Sequence, residues 1–292
     1  MEKIILKKSV EEKAAERSRS VERIYAAALE QHTQFKQIPE QDIKEVIGTA
    51  LEEIEKLERA GNLSDALTAL TLEVAESISA LWVLSGPGSY DEPAKEDRYK
   101  NYSWARGMDR ARLSYGALLS RKISEKLSSE ILKGSISKVP ARIQKARELI
   151  AEHGPTIIYN GTELENSVAR DVLTREGIII PPERAIIAGE GIDNTVDQIK
   201  DFKFPEELHQ SGGEIGIVSH APHIMRIIHM LSQYQTLPKD MTVRLFPMVT
   251  PQGGKEEYAD NEIKGLLYYV FLAKKAQPTA YPALIHGEKH LS

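Results

Sequence analysis

Ser219, His220, His223 and Arg226 lie close together in the run Ile215-Gly216-Ile217-Val218-Ser219-His220-Ala221-Pro222-His223-Ile224-Met225-Arg226. An imidazole can take or give a proton near neutral pH, and a guanidinium can neutralise an anion. Together these types suit acid–base work on a charged ligand. Their spacing makes them neighbours. The first four residues read as a buried strand, and Pro222 stands where the first turn of a helix tolerates proline. Ile227, Ile228 and Leu231 then continue an apolar helical period. On such a helix His223 and Arg226, three apart, share a face. The helix start adds unpaired backbone N–H groups and a partial positive charge, a seat for an anionic or polar group. A metal site is the weaker reading. His220 and His223 lack the four-residue spacing of a zincin helix, even with Glu163, Glu165 or Glu190 contributing, and no metal is expected. The plainer alternative for His223 is a core histidine bonded to a carbonyl. His229, elsewhere around the helix, reads as a surface or packing residue.

Those side chains need a frame. Short apolar runs at Ala80–Leu84, Thr156–Tyr159, Ala185–Ala188, Ile215–Val218 and Val243–Phe246 alternate with helical segments. That alternation predicts right-handed crossovers and a mainly parallel five-stranded sheet covered on both faces. Ligands of such sheets collect at the carboxyl ends of the strands. Here those ends carry Ser85-Gly86-Pro87-Gly88, Asn160-Gly161-Thr162-Glu163, Gly189-Glu190-Gly191 and Ser219-His220, all small or polar. The first turn is neither a P-loop, lacking Gly-Lys-Ser/Thr, nor a dinucleotide fingerprint. Residues Tyr90 to Tyr102 are polar, charged and aromatic without a period, which fits a lid or binding loop. Arg110 and Arg112, on the helix after that loop, are either solvated or within reach of the cleft. Pro140 opens a helix ending near His153, and Asn194-Thr195 opens another, with Asn194 placed to cap it. A last helix is expected at about Asp260 to Lys275, and the tail from Pro278 as loop.

Before the sheet, about Ser9 to Ile78 reads as helical throughout. After Pro39, Ile43, Ile47, Ala50, Ile54 and Leu57 form a heptad-like seam that stops at Gly61-Asn62. The organisation expected is a helical region over 1–78, an α/β domain over 79–275 and a tail over 276–292. The seam packs on the main domain or serves a homodimer through the N-terminal helices. A net charge of −5, from 43 acidic and 38 basic residues, argues against a nucleic-acid partner. The chain has no cysteine, which excludes disulfides, thiolate metal sites and a cysteine nucleophile. No run approaches the roughly 20 apolar residues of a membrane span, and the N-terminal apolar stretch is too short for a signal peptide. A cytoplasmic protein without a membrane partner is expected.

Asn160-Gly161 with Glu163 and Glu165, then Gly177, Pro181, Asn194-Thr195, and Val218-Ser219 with His223 and Arg226 resemble the YdcF-like domain family, which includes the SanA and ElyC envelope proteins. The likeness runs from about Ala80 to Lys275. It implies a Rossmann-like three-layer domain and, from the family's namesake, binding of S-adenosylmethionine. Carried across, it makes Glu165, Asn194, Thr195, Ser219, His223 and Arg226 the site, with Gly86 and Gly88 beneath the ligand. The chain departs from the family at Asp197-Gln198, where Glu-Asn is common. Three function classes follow. One is a binder or transferase for a nucleotide-like ligand such as S-adenosylmethionine. Another is a hydrolase or phosphoryl-handling enzyme using His223 and Arg226, and the third an interaction protein using the N-terminal helices.

Overall fold

The structure, a computed structural model, describes residues 10–86, 108–130, 140–163, 165–167, 169–170, 180–189, 191–251, 254–286 and 288. Two helices open it, α1 (Val10–Gln31) and α2 (Glu40–Ala60), and two short ones follow, α3 (Leu63–Ala69) and α4 (Leu72–Ser77). The α/β part contains β1 (Ile78–Leu84), α5 (Met108–Leu127), α6 (Pro140–His153), β2 (Thr156–Asn160) and β3 (Ala185–Ala188). It continues with α7 (Thr195–Lys200), β4 (Glu214–His220), α8 (Ala221–Tyr234), β5 (Thr242–Met248), α9 (Lys255–Leu267) and β6 (Ala283–Ile285). The described residues between 163 and 170 are also helical.

The sheet has six strands in the order β3-β2-β1-β4-β5-β6, and every described pairing is parallel. The chain runs outward from β1 through β2 to β3, then crosses back to lay β4 against the free side of β1. The strand order reverses there, which makes the β1/β4 pair the switch point whose crevice holds ligands in sheets of this kind. β1, β2 and β4 are buried almost throughout because helices cover both faces, which is why they read as continuous apolar runs. On one face, Trp82, Ile158, Ile215, Ile217 and Leu245 pack with α2, α8 and α9. On the other, Leu81, Val83, Ile157, Tyr159 and Phe246 meet Leu113, Leu119 and Ile123 of α5.

Two expectations are corrected, and the seam takes the first of its two readings, packing on the main domain. The tail is not all loop: Ala283–Ile285 pairs with β5 as a sixth strand. Only three residues long, it leaves too little alternation to read. The last helix begins earlier, at Lys255 behind Gly254, whose φ of +80° suits glycine, and its final turn, Tyr268–Leu272, widens to a π-helix. The seam of α2 does not face outward. Ile43, Ile47, Ala50, Ile54 and Leu57 are all buried in the core that holds α8 and β5, so no apolar stripe there is left for a second copy. His229 is a packing residue, not a surface one. It is buried with Nε2 2.9 Å from Glu53 on α2 and Nδ1 2.7 Å from the Gln277 carbonyl. Among the described residues, no helix is long and apolar enough to cross a membrane.

Candidate functional site

Gly88, Glu190 and the segment 90–102 lie outside the described residues. The other expected residues sit at the carboxyl ends of the strands, in two groups of different character.

The first group surrounds the ends of β1 and β2, and its polar atoms are occupied by one another. Trp82 Nε1 donates to Asn160 Oδ1 at 2.7 Å, and Asn160 Nδ2 donates to the Gln198 carbonyl at 2.9 Å. Gln198 Nε2 in turn donates to Ser85 Oγ and to the Asn160 carbonyl. Asn160 and Ser85, expected to touch a ligand, thus fasten β1, β2 and α7 together. The Trp82 ring also lies stacked on Phe202 at 3.8 Å between centroids. At the end of β2, Thr162 N donates to Glu165 Oε2 at 2.7 Å and Glu165 N donates to Thr162 Oγ1 at 3.3 Å. These reciprocal bonds form a capping box that starts the helical segment. Glu165 is buried, whereas Glu163 is exposed. Gly161 is needed because a Cβ there would stand 2.7 Å from Glu165. Asn166 closes the β2/β3 end, accepting from Gly161 N at 2.8 Å and donating to the carbonyls of Gly161, Ala188 and Gly189.

The second group stands over the β1/β4 crevice and is more electrically charged. Asp109 and Arg112, both fully buried on α5, meet at 2.6 Å. Asp109 accepts from Gly86 N at 3.1 Å, while Arg112 donates to the carbonyls of Gly86 and Leu84. Gly86 has φ +59°, which a glycine adopts without strain. Arg112 Nε donates to His220 Nδ1 at 3.0 Å and Nη2 to the Tyr258 hydroxyl at 3.2 Å. His220 therefore carries its own proton on Nε2. On the helix that follows, Arg226 Nε donates to Glu262 Oε2 at 2.5 Å, and Arg226 Nη2 reaches Thr195 Oγ1 and His223 Nδ1, each at 3.3 Å. His223 Nδ1 is also 3.4 Å from Glu262 Oε1. Asn194 caps α7, its side chain accepting from Val196 N and Asp197 N.

This enclosure moves the titrations. Burial, with Arg112 and His223 adding to it, pushes His220 down to about 2. Burial also lowers His223, to about 4, although Glu262 pulls the other way. Burial would raise Glu262, but Arg226 and His223 hold it at about 2. For Asp109 burial outweighs the attraction of Arg112, and with Glu165 nearby the carboxyl is pushed up to about 7. At neutral pH the crevice thus holds two neutral imidazoles, two guanidiniums and a charged Glu262.

Two polar atoms in this group stay unmatched. Among the described residues, Ser219 Oγ and His223 Nε2 have no hydrogen-bond partner although both residues are fully buried. Buried polar groups are ordinarily paired, so the unmatched atoms mark a place where a guest molecule would complete the bonding. The start of α8 adds to it, since its N-cap, His220, gives no side-chain bond to the helix N–H groups.

Of the expected residues, Gly86, Thr195, Ser219, His220, His223 and Arg226 come together around the crevice. Ser85, Asn160, Gly161 and Glu165 border it as scaffold, Asn194 acts as a cap, and Glu163 stands at the surface. Sequence reading missed Asp109, Tyr258 and Glu262 and left Arg112 open. Each sits on a helix whose own pattern is amphipathic and charged; Asp109, Arg112 and Glu262 are distinguished only by their burial, and the half-buried Tyr258 by its bond to Arg112. Among the described residues no group of three or more His, Asp or Glu side chains could hold a metal ion. No family model, curated protein or solved structure matches the chain.

Proposed function

We propose that this chain is a YdcF-like cytoplasmic protein that binds a small anionic or nucleotide-like ligand in the crevice above β1 and β4. S-adenosylmethionine is the leading candidate. The observation that carries the reading is that Ser219 Oγ and His223 Nε2, both in fully buried residues at the β4–α8 junction, have no hydrogen-bond partner among the described residues. An unpaired buried polar atom costs about 1–3 kcal/mol, a cost that a bonding ligand would remove. Gly86 and Gly161 leave the neighbouring turns without side chains. A transferase is one activity such a binder could have.

Thermal melts with S-adenosylmethionine, ATP and inorganic phosphate test it. A native-state ligand at about 100 times its Kd adds about 2.7 kcal/mol, a shift of several degrees. Ser219→Ala sharpens the test. Removing an orphan hydroxyl should raise the stability of the ligand-free chain by about 1 kcal/mol while shrinking the ligand-induced shift. A panel that moves nothing, with Ser219→Ala neutral, ends the proposal.

A second reading, a hydrolase or phosphoryl-handling enzyme, is favoured by the free Nε2 of His223 with Arg226 beside it. It differs in requiring turnover as well as binding.

A further inference from the structure

Glu262 and His223 form a pair that binding alone would not require. Glu262 lies 3.4 Å from His223 Nδ1 and accepts from Arg226 at 2.5 Å. A carboxylate can only accept, so the proton of the neutral imidazole belongs on Nδ1, and the lone pair is left on Nε2. Arg226 Nη2 also stands 3.3 Å from Nδ1, and the Nδ1–H tautomer requires its N–H groups to turn to Thr195 Oγ1, at the same 3.3 Å, and away from the ring. Nε2, in a fully buried side chain, has no hydrogen-bond partner among the described residues. A buried base with its tautomer fixed from behind stands ready to take a proton. On the same first turns of α8 are the Arg226 guanidinium, whose Nη2 is 3.3 Å from the ring, and a helix start with no side-chain cap. Several donors converging from a guanidinium and a helix start suit the oxygens of a phosphate group.

We propose that Glu262 and His223 form a carboxylate–imidazole dyad that activates water through Nε2 for hydrolysis of a phosphate monoester held by Arg226 and the first turn of α8. The inference rests on the reading of the crevice as an anion site. As water attacks phosphorus, Nε2 takes one of its protons and a new P–O bond forms. The ester P–O bond on the opposite side breaks, its electron pair goes to the leaving oxygen, which takes a proton from solvent, and Nε2–H gives its proton back to solvent. The products are an alcohol and inorganic phosphate, and no other reactant is consumed. Glu262 steadies the imidazolium formed in passing and is a positioning residue.

The test uses the full chain with p-nitrophenyl phosphate, together with thermal melts in inorganic phosphate. The wild type should release p-nitrophenol, and His223→Gln should lower kcat by about 100-fold or more, the usual worth of a general base. The acid limb of kcat reports His223, which Glu262 faces from α9, Arg226 from its own helix, Arg112 from α5 and His220 from the N-cap. Glu262 favours the protonated imidazole, so Glu262→Gln should lower kcat and move the acid limb to lower pH. That variant keeps the side-chain shape, and so covers the case in which His223→Gln does not fold. Absence of p-nitrophenol release, or an acid limb that Glu262→Gln leaves in place, overturns the dyad. If phosphate still raises the melting temperature in either case, the anion site stands without it. If phosphate has no effect and no ester is cleaved, both readings fall.

Discussion

Acid should weaken this fold sooner than its carboxylates alone would dictate, because two imidazoles in the crevice are buried uncharged. His220 and His223 stand near 2 and 4 in the folded chain, against an ordinary 6.5. Below about pH 6.5 the unfolded chain protonates both while the folded chain does not. The unfolded state then binds more protons, and stability falls as pH drops from about 6.5 toward 4. Asp109 opposes this. Its folded value of about 7 lies above the ordinary 3.8, so its contribution is full below 3.8 and is lost as pH rises through 7. Two imidazoles outweigh one carboxyl, and the net slope keeps its sign. Glu262, held at about 2 from 4.5, adds a further loss at still lower pH. Urea midpoints should therefore be lower near pH 5 than near pH 7, and Asp109→Asn should steepen that fall. An equal midpoint at both values would mean that the imidazoles are charged in the fold. Residue types made part of this legible. His223 and Arg226 could be paired by their spacing, whereas Glu262 and Asp109 come from distant helices, and nothing local distinguishes them from the solvated acids around them.

Among the elements, β4 is closely packed on both sides. Gly216 sits between β1 and β5, and a Cβ there would stand 2.6 Å from Leu81 Cδ2 and 2.9 Å from Phe246 Cε2. Gly216→Ala should cost about 1–3 kcal/mol through overpacking, read from denaturant unfolding. A neutral result would show that Phe246 can turn aside, since its ring closes one side of the gap. The strands in the middle of the sheet were readable because burial on both faces demands an unbroken apolar run, as in Ala80-Leu81-Trp82-Val83-Leu84. β6 was not, because a three-residue edge strand gains its conformation from the β5 ladder and not from its own pattern. Similarly, Gln198 reads as an unremarkable polar position on a short helix. Only the approach of α7 to β2 turns it into the bond between Ser85 and Asn160.

At the scale of the molecule, the N-terminal helices belong to the same core as the sheet. Ile24, Phe35, Ile43, Ile47 and Ile54 share one buried cluster with Ile224, Ile227, Leu266 and Leu245. Glu53 of α2 meets His229 of α8, and Glu58 accepts from Thr250 N at 3.0 Å. Deleting residues 1–77 should thus expose the apolar faces of α8 and α9, and the remainder should lose its cooperative melt. A fragment that melts cooperatively would identify the α/β part as independent and the helices as an accessory.

What the sequence settled by itself was local and periodic. The alternation of apolar runs with helical segments set the fold class, and the small or polar strand ends marked the edge of the sheet where a ligand would sit. His223 and Arg226, three apart on one helix, were paired by backbone geometry alone. Tertiary structure decided which polar groups are satisfied and which are left over. Ser85 and Asn160 became scaffold, α2 turned its seam inward, and Glu262 came to stand behind His223. Those outcomes depend on contacts between segments far apart in the chain, where burial, not residue type, sets the balance between a solvated group and one that needs a partner.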